Sequence, residues 1–141
     1  MISVRIVLDT GIFISALITR GTPPDRLYQS WRKRHFTLIT SVEQLEEIER
    51  VLSYKKLERF INPVEAQILL HGLRRRALVA CDLPTVDLSP DADDNKIIAT
   101  ALAGNADYLV SGDKANLLCL GTANGMPIVT ARKMVTLLEK N

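Results

Sequence analysis

The chain has few of the groups that staple or ligate. Its two cysteines, Cys81 and Cys119, sit in apolar stretches with no third thiol and no metal-ligand spacing. They read as reduced core residues of a cytosolic protein, which excludes a disulfide scaffold. The two histidines, His35 and His71, are isolated and far from the acids, so they read as surface or core residues and not as catalytic ones. No apolar run approaches the roughly 18 residues of a membrane span. The pattern begun by "MISVRIV" enters a strand at once and leaves no room for a signal peptide. A soluble, cytoplasmic protein is the expectation. Excess charge is missing too: a net +2 offers nucleic acid little bulk attraction, so affinity of that kind has to come from local patches or from metal. Repeats and low-complexity segments are absent.

What is present suits a single domain over residues 1–141. The composition, 47% hydrophobic and 24% charged, is that of a globular protein, and a chain of this length buries roughly 68% of its unfolded surface. "SVRIVLD" predicts a buried strand from about Val4 to Leu8, followed by a short apolar helix in "GIFISALIT". "PPDRLYQSWRKRHF" predicts a helix ending near "RKRH", with "FTLIT" a second strand. In "SVEQLEEIERVLS", Ser41 and Gln44 form a capping box ahead of an apolar face of Val42, Leu45, Ile48 and Leu52. Asn62, Pro63 and Glu65 open the next helix, which leads to a strand in "LVACD". After a loop over "LPTVDLSPDAD" come a helix stopped by Gly104, a strand in "ADYLVSGD", a short helix in "KANLLCLG", a last strand in "MPIVT" and a final helix. Short strands alternating with amphipathic helices predict a three-layer α/β/α sandwich with a central, mostly parallel sheet of about five strands. Ligands of such sheets bind beyond the carboxyl ends of the strands, where strand order reverses.

Two acids, Asp9 and Asp113, follow apolar strands at "IVLD" and "YLVSGD" and should share that edge. Either alone reads as a cap for the next turn. A third acid lies in "DADDN". Asp94 stands three, four, seven and eight residues before Ile97, Ile98, Ala101 and Leu102, near the centre of the apolar stripe, where a charge is costly unless something pairs with it. Asp93 falls off the stripe, and Asp91 joins it only if the helix begins early. Among Glu43, Glu46, Glu47 and Glu49 the helical wheel does not choose. Two like charges about 4 Å apart repel by roughly 4 kcal/mol at an effective dielectric of 20, so converging carboxylates call for a divalent cation. All-oxygen ligands without paired His or Cys select Mg²⁺ or Mn²⁺ over zinc, and water acidified by the metal would attack a phosphodiester.

The blocks "IVLDTGIFISAL", "TLITSVEQLEEIERVL", "DADDNKIIATALAGNADYLVSGDKANLL" and "MPIVTARKMVTLL", in this order and across nearly the whole chain, resemble a PIN domain, and among PIN proteins the VapC-like toxins of toxin-antitoxin systems. The resemblance implies an α/β/α sandwich, Mg²⁺ or Mn²⁺ in an acidic pocket, and endoribonuclease activity on RNA. It assigns catalysis to Asp9, Glu47, Asp94 and Asp113, with metal on Asp9, Asp94 and Asp113, and takes Glu47 because the family glutamate directly precedes an aliphatic residue, here Ile48. Ser111, Asp91, Thr10 and Lys114 are expected to support the pocket. A cognate antitoxin protein and a homodimer are the expected partners, with no membrane. Where the family usually reads D-T-N this chain reads D-T-G, so Gly11 replaces an asparagine at the pocket. The alternative is therefore a weak or inactive PIN-like module that binds RNA or protein.

D-T-G is also an aspartic-protease signature, but one such motif among many capped helices does not build that fold. A receiver domain wants adjacent acids after the first strand, and a D-x-D phosphatase wants an acid at Gly11. The basic runs "RKRH" at 32–35 and "RRR" at 74–76 end helices, where the helix dipole favours cations; their functional reading is a phosphate-contacting rim. Ile12, Phe13, Leu17 and Trp31 read as core, although the early helices could also supply the homodimer or antitoxin surface.

Overall fold

The computed structural model describes residues 3–140; Met1, Ile2 and Asn141 lie outside the described residues. Strand β1 (Arg5–Leu8) leads into α1 (Thr10–Ile18) and α2 (Pro23–Arg32). Pro23 and Pro24 occupy the first turn of α2, where a missing N–H leaves no bond unmade. Next come β2 (Thr37–Ser41), α3 (Val42–Leu52), a 3₁₀ turn at Lys55–Leu57 and α4 (Pro63–Arg76). Asn62 Oδ1 accepts from the Val64 and Glu65 amides and so caps α4. The remainder runs β3 (Leu78–Ala80), α5 (Ala92–Ala103), β4 (Tyr108–Val110), a 3₁₀ turn at Leu118–Leu120, β5 (Thr122–Ala123), β6 (Met126–Val129) and α6 (Ala131–Glu139).

The sheet order is β3-β2-β1-β4-β6-β5. β1 pairs in parallel with both β2 and β4, and only the β5–β6 pair is antiparallel. Successive strands step outward from β1 in one direction through β2 and β3, then restart on its other side at β4. Strand order therefore reverses between β1 and β4. Side-chain alternation sorts the core into two layers: Ile6 and Leu8 pack with Phe13, Leu27, Leu69 and Met134 from α1, α2, α4 and α6. Val7 points the other way, onto Ile97 and Ile98 of α5. The α/β architecture with a mostly parallel sheet is the expected one.

Four local expectations give way. The sheet has a sixth strand, because Asn124 and Gly125 both adopt positive φ (49° and 83°), as a two-residue hairpin turn requires, and fold β5 back onto β6. "KANLLCLG" forms turns and a three-residue 3₁₀ segment instead of a helix, its start taken up by Asp113 Oδ1, which accepts from the Ala115 and Asn116 amides. Cys81 and Cys119 are exposed, not core. One follows the edge strand β3, and the other lies on the 3₁₀ turn, whose inward position is filled by Leu117. Val42, expected on the apolar face of α3, is 56% exposed, and Gln44 is buried in its place. Ser41 Oγ does accept from the Gln44 amide, but the Gln44 side chain completes no capping box. It donates to Leu8 O at 2.6 Å and accepts from Thr40 Oγ1 at 2.7 Å, tying α3 to the end of β1.

Gly104 shows how tightly α5 meets the sheet. A Cβ there would lie 2.6 Å from Ile39 Cγ2, and Ile39 is wholly buried and stiff at χ1. Gly104→Ala is expected to lower stability by about 1–3 kcal/mol, the usual effect of overpacking, read as a lower urea midpoint at unchanged slope.

Candidate functional site

The carboxyl ends of β1 and β4 lie side by side at the reversal point, where the Asp9 amide donates to Val110 O at 2.8 Å. Asp9 is the N-cap residue of α1, yet its side chain makes no capping bond to that helix. Its Oδ2 instead accepts from Ser111 Oγ at 2.9 Å. The same hydroxyl accepts from the Asp113 amide at 2.9 Å, so Ser111, itself wholly buried, joins the two strand-end acids. Asp113 is half-buried.

Asp94 reaches the same place from α5. It is 8% exposed, and Ser89 Oγ donates to its Oδ2 at 3.3 Å. Ser89 is held by Asn95, whose Oδ1 accepts from the Leu88 and Ser89 amides while its Nδ2 donates to Ser89 O. Asp91 spends its side chain on capping α5 through the Asp93 amide, so it enters the pocket as charge and as cap. Glu47 comes from α3 and accepts a hydrogen bond from Thr10 Oγ1. The neighbouring acids have other partners: Glu49 pairs with Arg74, and Asp93 with Arg50 at 3.4 Å. Lys114 is exposed beside Asp113.

The charges are unreconciled. Burial pushes the Asp94 carboxyl up to about 7, helped by the charges of Asp91, Asp113 and Asp9 and by a hydrogen bond with Asp113 that favours its protonated form. Asp9 is raised by burial, against the lowering effect of its bond from Ser111 and of the nearby Thr10 backbone. Burial also raises Glu47, opposed by Thr10. No ion pair among the described residues involves Asp9, Glu47, Asp94 or Asp113.

Among the described residues no group of three His, Cys, Asp or Glu side chains is positioned to hold a metal ion. The donor set still fits a hard cation: oxygens only, partly or wholly buried, like-charged, and in no ion pair among the described residues.

Four contributors escaped sequence reasoning. Ser89, in "SPDAD", carries a serine-turn signal, its Oγ accepting from the Asp91 amide. Gln44 sits at the capping-box position but faces inward. Arg50 and Lys96 line a groove of about 130 Å³ beside Glu47; nothing in their spacing marks them. The basic runs do not rim the pocket. They end α2 and α4, which lead back to the amino ends of β2 and β3, the edge of the sheet away from the acids.

Comparison with known proteins adds a family match. A model described as a PIN domain covers residues 5–115, a span that includes Asp9, Glu47, Asp94 and Asp113. The chain is also 27% identical over 114 residues to the uncharacterized protein MJ1680 of Methanocaldococcus jannaschii, covering 80% of this chain and 73% of that protein. No helix among the described residues is long and apolar enough to cross a membrane.

Proposed function

The chain belongs to the PIN domain family, a match that indicates nuclease-type function, and on that premise we propose that it is an Mg²⁺- or Mn²⁺-dependent endoribonuclease. The observation that carries this reading is the carboxylate group at the β1/β4 reversal, with the buried Asp94 pushed up to about 7 and none of the four acids in an ion pair among the described residues. A site of like charges without a function would be selected against on stability alone.

Asp9, Asp94 and Asp113 are the residues that would hold the cation. When bound, it supplies Lewis acidity to the phosphodiester and acidifies water for hydrolysis. Ser111 fixes the orientation of Asp9 and the backbone of Asp113. Thr10 fixes Glu47, whose raised carboxyl is suited to hold a proton at its free oxygen near the scissile bond. Arg50 and Lys96, beside Glu47, are placed to meet substrate phosphates. We further read the protein as the toxin of a toxin-antitoxin pair, acting in the cytoplasm as a homodimer and silenced by a separate antitoxin chain. The test is cleavage of a single-stranded RNA with Mn²⁺ or Mg²⁺, expected to stop on chelation and to return with the metal. Cleavage that persists in chelator removes the metal reading.

Gly11 supports a second reading, a weakened or inactive binding module. Space does not require this glycine: a Cβ there would meet nothing within 4 Å, and φ is not positive. Gly11→Asn is therefore expected to fold, and to raise the cleavage rate about fivefold, the value of one hydrogen bond near 1 kcal/mol. A wild type inert with every metal that still binds RNA would favour the module.

A further inference from the structure

We propose a second RNA-binding surface at the amino edge of the sheet, opposite the carboxylates, which grips the phosphate backbone of substrate beyond the cleavage point; it rests on the reading of RNA as substrate. Six of the chain's 18 Lys and Arg residues fall in Arg32–Arg34 and Arg74–Arg76. Against 16 acids, the other twelve leave the remainder of the protein at net −4. The carboxylate cluster thus lies at the carboxyl ends of the strands, and these six cations form a basic pole at the amino ends of β2 and β3. A shallow groove of about 800 Å³ runs between the two runs, lined by Arg34, Gln67, His71, Arg75 and Arg76.

Five of these six cations are in no ion pair among the described residues, and two are stacked on rings. Of the six, only Arg74 is in an ion pair, with Glu49; the other ion pairs among the described residues use Arg20, Arg26 and Arg50. Arg76 lies over the Trp31 ring at 5.5 Å, and Arg32 over Tyr28 at 5.6 Å. Stacking positions each guanidinium, and both residues are exposed, which suits bidentate capture of phosphate. Arg34 is held in the left-handed region, φ 63°, by bonds from its own amide to Trp31 O and from the His35 amide to Ser30 O. Glycine or asparagine fills such a position with less strain, so an arginine there is a choice against local preference. The helix dipole explains a cation in the last turn of α2 or α4. It does not explain Arg34, which lies past the end of α2.

Strands of four residues at about 3.3 Å each put the carboxylate cluster and the basic pole roughly 15 Å apart through the sheet. Around the surface an RNA of roughly ten nucleotides, at about 3.4 Å per nucleotide, reaches both. The surface should therefore matter for long substrates and not for short ones.

The test uses the full chain carrying Asp94→Asn, so that RNA is bound but not cut, and fluorescence anisotropy with a 6-mer and a 25-mer of single-stranded RNA. Adding Arg34→Ser, Arg75→Ser and Arg76→Ser is expected to weaken the 25-mer at least tenfold and to flatten its salt slope by about 2, at about 0.7 for each phosphate no longer neutralised. The 6-mer should be unaffected. Because Arg76 packs on Trp31, Arg34→Gly alone is the control variant: it relieves a strained backbone, so melting temperature should hold or rise while 25-mer affinity falls. Equal affinity in both proteins overturns the proposal. So does an equal loss for both RNAs, or displacement of an acidic peptide by these substitutions with the 25-mer unmoved. If wild type binds the 25-mer through these arginines yet cuts no RNA, the nuclease reading fails and this surface stands.

Discussion

Asp94→Asn is expected to lower RNA cleavage by about 10³-fold, the upper range for removing one preorganised electrostatic group, while the metal-free protein stays folded and melts higher at pH 8. The two effects have one cause. Asp94 is buried on the apolar face of α5, with a long hydrogen bond from Ser89, a bond with Asp113 that favours its protonated form, and three acids nearby. In the metal-free protein its negative charge is a burden, and asparagine keeps the shape while removing it. A structural carboxylate behaves oppositely, since its loss destabilises. Circular dichroism melting and a single-turnover cleavage assay on the same preparations separate the cases. A variant that melts lower and cuts normally would sink the assignment of Asp94.

The second large effect is the response of stability to pH and to divalent cation. The Asp94 carboxyl is pushed up to about 7 in the folded state, against 3.8 in its ordinary setting. Between those values the native state holds a proton that the unfolded chain has released, so stability falls as pH rises through that window and levels off above it. Asp9 and Glu47, both raised by burial, act in the same direction. Metal-free protein should therefore melt several degrees higher at pH 5 than at pH 8. Mn²⁺ at about 100 times its dissociation constant adds about 2.7 kcal/mol, roughly 10 °C for a domain of this size. That gain should appear at pH 8 and shrink at pH 5, where protons compete for the same oxygens. A melting temperature that Mn²⁺ leaves unmoved at pH 8 would overturn the metal reading.

Much of the architecture was legible because strand and helix periods differ. "IVLD" and "YLVSGD" announce buried strands closed by an acid, and Asn62-Pro63 announces a helix start. The wheel of α5 located Asp94 on its buried face because Ile97, Ile98 and Ala101 define that face without ambiguity. The wheel of α3 did not separate Glu47 from Glu49, since both flank the stripe; only contact with Thr10 and Arg74 divides them. Gln44 was misjudged because amphipathicity cannot foresee a polar side chain buried to serve the carbonyl of Leu8. The Asn124-Gly125 hairpin carried a plain signal that strands of two residues made easy to overlook. The place of the basic runs followed from topology: a helix returning to start a parallel strand ends at the edge opposite its beginning.

The Ser111–Asp9 hydrogen bond spans 102 residues of chain. β1 leaves the ribosome well before β4, the strand that completes the pocket, which follows α5 and its Asp94. Pairing across so long a separation carries a large loop-closure cost and forms slowly. On the ribosome Asp9 therefore waits without its partners until α5 and β4 have both emerged, and the acidic pocket is assembled in one step rather than accumulating along the way.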